Sequence, residues 1–293
     1  MEWRIDFMKH LIYGAMIGDI AGSRFEWNPY KSKKGYDLIS ESCQFTDDTV
    51  MTAAVASAIM RAEEEHIPLA QAATEEMQFF GRMYPYAGYG GRFASWIRQE
   101  HPEPYWSWGN GSAMRASPCG YAALSLDEAL QFAEESAMPT HNHPEGIKGA
   151  KATAAAVFLA KTGASFDTIR DAVEKLGYRL DYSIDEIRPA YAFDVSCQGS
   201  VPQSIACFLQ SSSYEDTIRN AISLGGDSDT MAAISGGIAW GYYWNRDPQF
   251  EREMESLVEK AQARLPEPIR RIAEAFDAFC LHRNAVRESS SDA

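Results

Sequence analysis

Beyond Asp47 the apolar residues fall at Val50, Met51, Ala54, Val55, Ala58 and Ile59, one face of a helix, ahead of the charged run Glu63 to Glu65. Similar periodicity runs through 66–83, 127–136, 147–162, 166–176, 202–210, 214–223, 229–244, 249–263 and 266–285. The last two begin close to Pro248 and Pro266, residues that suit a first helical turn. Strand-like alternation is scarce, and nowhere do β runs alternate with helices as a parallel sheet requires. The pattern predicts an all-α fold. Ala- and Gly-rich stretches at 150–156 and 231–239 offer small-residue faces for close helix approach, which offsets the helix-propensity cost, roughly 1 kcal/mol each, of Gly236, Gly237 and Gly241.

Composition narrows the possibilities. The 293 residues read as one domain over 1–286, followed by a Ser- and acid-rich tail, 287–293, expected to be disordered. A formal charge of −14 argues against nucleic acid as the main partner. Five cysteines without a C-x-x-C pair suggest free thiols rather than disulfides or a zinc ribbon. No signal-peptide core or membrane-length apolar run stands out, so a cytoplasmic protein without a membrane partner is expected.

The polar exceptions gather in the aperiodic stretches 21–46, 84–120 and 137–146 and at helix starts. Two acidic pairs, Thr46-Asp47-Asp48-Thr49 and Gly225-Gly226-Asp227-Ser228-Asp229-Thr230, each open a helix some 180 residues apart. Either could be no more than a helix cap. If the two starts met, their carboxylates would need cations, and hard oxygen ligands without His or Cys select Mg²⁺, Mn²⁺ or Ca²⁺, with enough acids for a pair. Gly18-Asp19-Ile20-Ala21-Gly22 indicates helix packing or a turn, and Glu26 just beyond it matters if it reaches the acids.

Trp106 and Trp108 read as core anchors or stacking platforms, and Gly109 to Arg115 as either a turn or a ligand loop. Thr140 to Gly149 opens another helix and offers an anion site with Lys148, while His141 and His143 make a poor zinc pair. Cys197 reads as a structural thiol, or as a nucleophile only if a base such as His141 is beside it.

Taken in order, the motifs GAMIGDIAGSRFE, FTDDTVM, WGNGSAMR, THNHPEG, QGSVPQ and GGDSDT, from Gly14 to about Tyr243, resemble the ADP-ribosylglycohydrolase family. The resemblance implies a compact orthogonal helical bundle with a two-metal centre, Mg²⁺ or Mn²⁺, in a cleft. It places metal ligands at Thr46, Asp47, Asp48, Asp227, Asp229 and Thr230, and catalytic acids at Glu26, Asp47, Asp227 and Asp229. Substrate contacts are expected at Gly109, Asn110, Gly111, Ser112, Met114, Arg115, His141, Gly146, Ile147, Lys148, Gly225 and Gly226. The implied reaction is hydrolysis of ADP-ribose from an arginine-modified protein, with an O-linked serine or small-molecule conjugate as the alternative. A non-catalytic ADP-ribose-binding protein and a metal-dependent phosphatase are further readings. The loop Tyr84 to Gly90 lacks the acid that some arginine-cleaving relatives carry there, and its three tyrosines either wall the acceptor cleft or pack.

Overall fold

A computed structural model describes residues 8–291, with side chains through 286. Among these the chain is helical: α1 (Tyr13–Gly22), α2 (Asp47–Glu65), α3 (Leu69–Met83), α4 (Gly91–Trp96), α5 (Gly111–Met114), α6 (Ser117–Ala122), α7 (Leu126–Ala137) and α8 (Pro144–Lys161). There follow α9 (Phe166–Lys175), α10 (Ile184–Ile187), α11 (Cys197–Leu209), α12 (Tyr214–Ser223), α13 (Ser228–Trp244), α14 (Phe250–Gln262) and α15 (Glu267–Ser291). The one extended pairing among the described residues is a bridge between Gly109 and Ser196.

The long periodic segments became helices close to their expected bounds. α1 did not announce itself, because all ten of its residues are buried and a helix buried on every side shows no apolar–polar period. α11 begins five residues before the expected start, with Pro202 inside it. α15 runs as helical backbone to Ser291, into the stretch 287–293 where a disordered tail is expected; 292–293 lie outside the described residues.

The centre is the antiparallel contact of α1 with α13. Gly14, Gly18 and Gly22 stand four apart on α1, and a Cβ on them would lie 2.7 Å from Gly236 O, 2.1 Å from Ala232 O and 2.4 Å from Ser228 O respectively. Such backbone-to-backbone approach admits only glycine. Its consequence is positional: the C-terminal end of α1 lies against the first turn of α13. The Ala-rich face of α8 likewise approaches α6, where a Cβ on Gly120 would lie 2.6 Å from Ala154 O. The terminal helix is tied to the start of the chain by Asp277, whose carboxylate accepts the backbone N–H of His10 at 2.7 Å and of Leu11 at 2.9 Å. No helix of the described residues is long and apolar enough to cross a membrane.

Candidate active site

The two acidic helix starts meet. At the first, Thr46 is the N-cap of α2, its hydroxyl accepting the N–H of Asp48 at 3.3 Å. That hydroxyl donates to Asp19 Oδ1 at 2.7 Å, and Asp19 Oδ2 accepts the N–H groups of Thr46 at 2.9 Å and Thr49 at 3.1 Å. Asp19, fully buried on α1, thus satisfies free N–H groups of the α2 first turn from another helix. From the sequence, Asp19 stands within the glycine motif with no role of its own. The available signal was an acid inside an otherwise apolar, glycine-spaced segment.

At the second start, Asp227 occupies the N-cap of α13 but makes no capping bond; its carboxylate turns aside and accepts from Asn110 Nδ2 at 2.7 Å. Thr230 Oγ1 donates to Asp48 Oδ2 at 3.2 Å, joining residues 182 positions apart. Carboxylate oxygens of Asp19, Asp48 and Asp229 lie within 4.8 Å of one another, and so do those of Glu26, Asp227 and Asp229. Asp229 belongs to both groups.

Burial pushes every one of these carboxyls up; repulsion from neighbouring cluster acids adds for Glu26, Asp47, Asp48 and Asp229, and repulsion from Asp194 adds for Asp227. Glu26 rises to about 7 and Asp47 to about 8, while Asp48 and Asp229 stand well above the carboxylate range. Asp48 Oδ1 and Asp229 Oδ1 are buried without any partner. Orphaned anionic oxygens in two overlapping all-oxygen groups are the donor set of hard divalent cations, and the residues present fit them. Asp19 differs, since its oxygens are already occupied by N–H and O–H donors, and it fits a positioning role better than a ligand's.

Above the acids opens a cleft of about 420 Å³, within the range of small-molecule sites. Glu26, Asp47, Asp48, Asp227, Asp229 and Thr230 form one side of it, and Gly109, Asn110, Gly111, Met114, Arg115 and His141 another. Buried Arg115 donates to Thr140 Oγ1 at 2.8 Å, and that hydroxyl lies 2.7 Å from His141 Nδ1. With the Thr140 proton given to Nδ1, the imidazole carries its own proton on Nε2, and burial holds it neutral, well below its ordinary pKa. A Cβ on Gly111 would lie 3.1 Å from that Nε2, so glycine there leaves the ring its place.

Other expected contacts lie elsewhere. Ser112 faces inward and donates to Gly146 O at 2.7 Å, with Gly146 packed against Ser107 and His141. Ile147 and Lys148 do not line the cleft. α8 starts at Pro144, earlier than its period indicates, which turns Lys148 outward to pair with Glu145 at 2.6 Å and to cover the Tyr178 ring at 4.9 Å. Gly225 and Gly226 form part of a brace. Gly225 has φ +62° with the Lys31 stem against it, and a Cβ on Gly226 would lie 2.4 Å from the Tyr191 ring. Lys31 Nζ donates to the carbonyls of Arg188 at 2.9 Å, Tyr191 at 2.5 Å and Leu224. The segments carrying Glu26, Phe193 and Asp227 are thereby drawn together by one ammonium.

The cleft also uses residues that sequence reasoning did not single out. Tyr105 and Ser107 line it beside Gly109, whereas Trp106 and Trp108 turn to His143 and stay about half exposed, 55% and 48%, rather than anchoring the core. The period of two across 105–109 was the legible signal, hidden by the brevity of the stretch. Gly88, Gly90 and Gly91 wall the cleft where the tyrosine loop passes. Of its tyrosines, Tyr84 and Tyr89 pack on Phe45 and Phe93, and Tyr86 projects into solvent. Trp27 and Phe193 stack on each other at the cleft. Cys197 is buried, donates to Gly109 O at 3.0 Å and is pushed up to about 12, which suits a structural thiol. His143 caps α8 by accepting from Glu145 N at 3.1 Å.

Residues 4–244 match the sequence model of the ADP-ribosylglycohydrolase family. The chain is 28% identical to ADP-ribosylhydrolase ARH3 of Mus musculus, an alignment covering 82% of this chain and 84% of that one. It is 24% identical to ADP-ribosylarginine hydrolase Tri1 of Pseudomonas putida (strain GB-1), covering 91% and 80%. A solved structure described as an ADP-ribosylglycohydrolase-related protein complex shares the fold, with a TM-score of 0.64 at 21% identity over 92% of this chain and 96% of that one.

Proposed function

The chain belongs to the ADP-ribosylglycohydrolase family of hydrolytic enzymes, and from that premise we propose that it removes mono-ADP-ribose from arginine side chains of modified proteins in a reaction dependent on two divalent cations, Mg²⁺ or Mn²⁺. The observation that carries this reading is the convergence of Glu26, Asp47, Asp48, Asp227 and Asp229 at one side of a ligand-sized cleft, two of their oxygens buried and unpartnered. Thr46, Asp47, Asp48, Asp227, Asp229 and Thr230 would hold the cations. When bound, these supply Lewis acidity toward ribose oxygens and toward water.

The chain's own residues do the rest. Glu26, half-buried beside Asp227 and Asp229, takes the proton of the water that attacks the anomeric carbon. As the carbon–nitrogen bond breaks, its electron pair leaves with the guanidine nitrogen, positive charge develops on the sugar, and the neighbouring carboxylates stabilise that charge. His141 Nε2–H and the Arg115 charge face the diphosphate, the task expected of Lys148. Residues 1–286 are taken as one domain; support comes from the Asp277 tie between the chain's two ends.

One observation favours the O-linked alternative. Among the described residues no carboxylate outside the acidic cluster lines the cleft, whereas Arg92 and Arg115 do, so a guanidinium acceptor has no ion-pair partner of its own.

The test measures free ADP-ribose released from arginine-modified protein with Mg²⁺, with Mn²⁺ and with chelator. Release should require cation and fall at least about 100-fold in Asp227→Ala and Asp229→Ala. Equal, mild losses across all four cluster aspartates would overturn the two-cation picture. Release from serine-modified protein alone would transfer the assignment to the O-linked class.

A further inference from the structure

The indole of Trp27 and the ring of Phe193 stack at 5.1 Å between centroids and 28° between planes, yet remain 77% and 40% exposed. They come from separate segments, one leaving α1 and its 3-10 turn Ser23–Phe25, the other approaching α11, and both line the cleft that holds the acids. Trp27 directly follows Glu26, whose carboxylate lies with those of Asp227 and Asp229. Of the aromatic faces along this cleft, Tyr105 is covered by Arg92 at 4.9 Å and Phe93 by Arg115 at 5.7 Å. The Trp27–Phe193 stack has no such cation among the described residues, although elsewhere the chain repeatedly lays arginine on aromatic rings, as with Arg24 on Phe25 at 4.5 Å and Arg246 on Tyr242 at 3.7 Å.

We propose that the Trp27–Phe193 stack is the seat of the acceptor's guanidinium group, which lies flat on the exposed aromatic faces beside the bond that is cut. The inference rests on the arginine reading above and supplies what that reading lacks, a partner for a planar cation where no spare carboxylate stands. A guanidinium is weakly hydrated and prefers an aromatic face, and the chain's net charge of −14 favours the approach of a cationic acceptor. A serine acceptor is neutral and gains nothing comparable from such a face. Trp27 and Phe193 thereby become specificity-determining residues for linkage.

The experiment compares steady-state cleavage of arginine-linked and serine-linked ADP-ribosyl peptides by the wild type, Trp27→Ala, Trp27→Phe and Phe193→Leu, with agmatine as a competing guanidinium. In Trp27→Ala the preference for the arginine linkage should fall roughly 5- to 10-fold, carried by KM, and inhibition by agmatine should weaken by a similar factor. Trp27→Phe, which keeps a π face and loses the indole N–H, should retain most of the preference. Phe193→Leu, which keeps apolar bulk without a π face, should lose it. An unchanged preference, or agmatine inhibition equal in wild type and Trp27→Ala, overturns the seat even if arginine-linked peptide is cleaved. If instead the wild type ignores arginine-linked peptide while agmatine still inhibits cleavage of the serine-linked one through Trp27, the linkage assignment falls and the seat stands.

Discussion

Thr46 and Asp227 occupy the same position at the starts of two helices, and their side chains do opposite things. Thr46 caps its helix; Asp227 leaves its own uncapped and turns to Asn110 and the other acids. An acidic helix start is ambiguous in sequence because capping and ligation call for the same residue types, and only the direction of the side chain separates them. The elevated carboxyls make a prediction at this scale. A carboxyl whose pKa is higher when folded holds its proton more tightly in the native state, so its stabilising effect is complete below about pH 4 and is lost as pH rises through the folded values, about 7 for Glu26 and about 8 for Asp47. In chelator the melting temperature should therefore fall between about pH 5 and pH 8, and saturating Mn²⁺ should remove that fall. A flat profile in chelator would show that the acids are not packed as described.

Elements set the spacing that these residues need. The glycines of α1 let its backbone touch α13, which delivers Asp19 and Glu26 to the acids of the α13 start. Gly18→Ala places a methyl carbon 2.1 Å from Ala232 O, and we expect a loss of roughly 3 kcal/mol or more in chemical denaturation, beyond the ordinary cost of overpacking. An equally stable variant would mean that the helices separate without penalty. The Lys31 brace acts on the loop before α13. Lys31→Met removes an exposed charge yet should weaken Mn²⁺ binding about 10-fold by calorimetry, because three carbonyls lose their shared donor and the Asp227 segment loosens. Affinity equal to wild type would reduce Lys31 to a surface residue. Gly225 and Gly226 were legible as special positions, but what made them special was the approach of Lys31 and Tyr191, side chains remote in sequence.

For the molecule as a whole, the cluster is a tie between chain segments some 180 residues apart, so whatever occupies it couples to global stability. Cation at about 100 times its Kd should add roughly 2.7 kcal/mol, a rise of several degrees in melting temperature. In Asp48→Asn the apo protein should melt higher than wild-type apo protein near neutral pH, because the cost of keeping a buried, repelled carboxyl protonated above its unfolded pKa is gone, while the cation-induced rise should shrink or vanish. Calorimetric melts of both proteins, with and without Mn²⁺, decide it.

The helical class, the long helices and the residue types of the metal-binding candidates were set by the sequence alone, because a 3.6-residue apolar period and an excess of acid at a helix start are local properties. Their convergence was not local. Only the tertiary structure decided that α1, without any period of its own, lies against α13, that Asp19 serves α2, that Lys148 faces away from the cleft and that Trp27 meets Phe193. Each of these depends on which surfaces of distant segments come into contact, and close packing settles that for the whole chain at once.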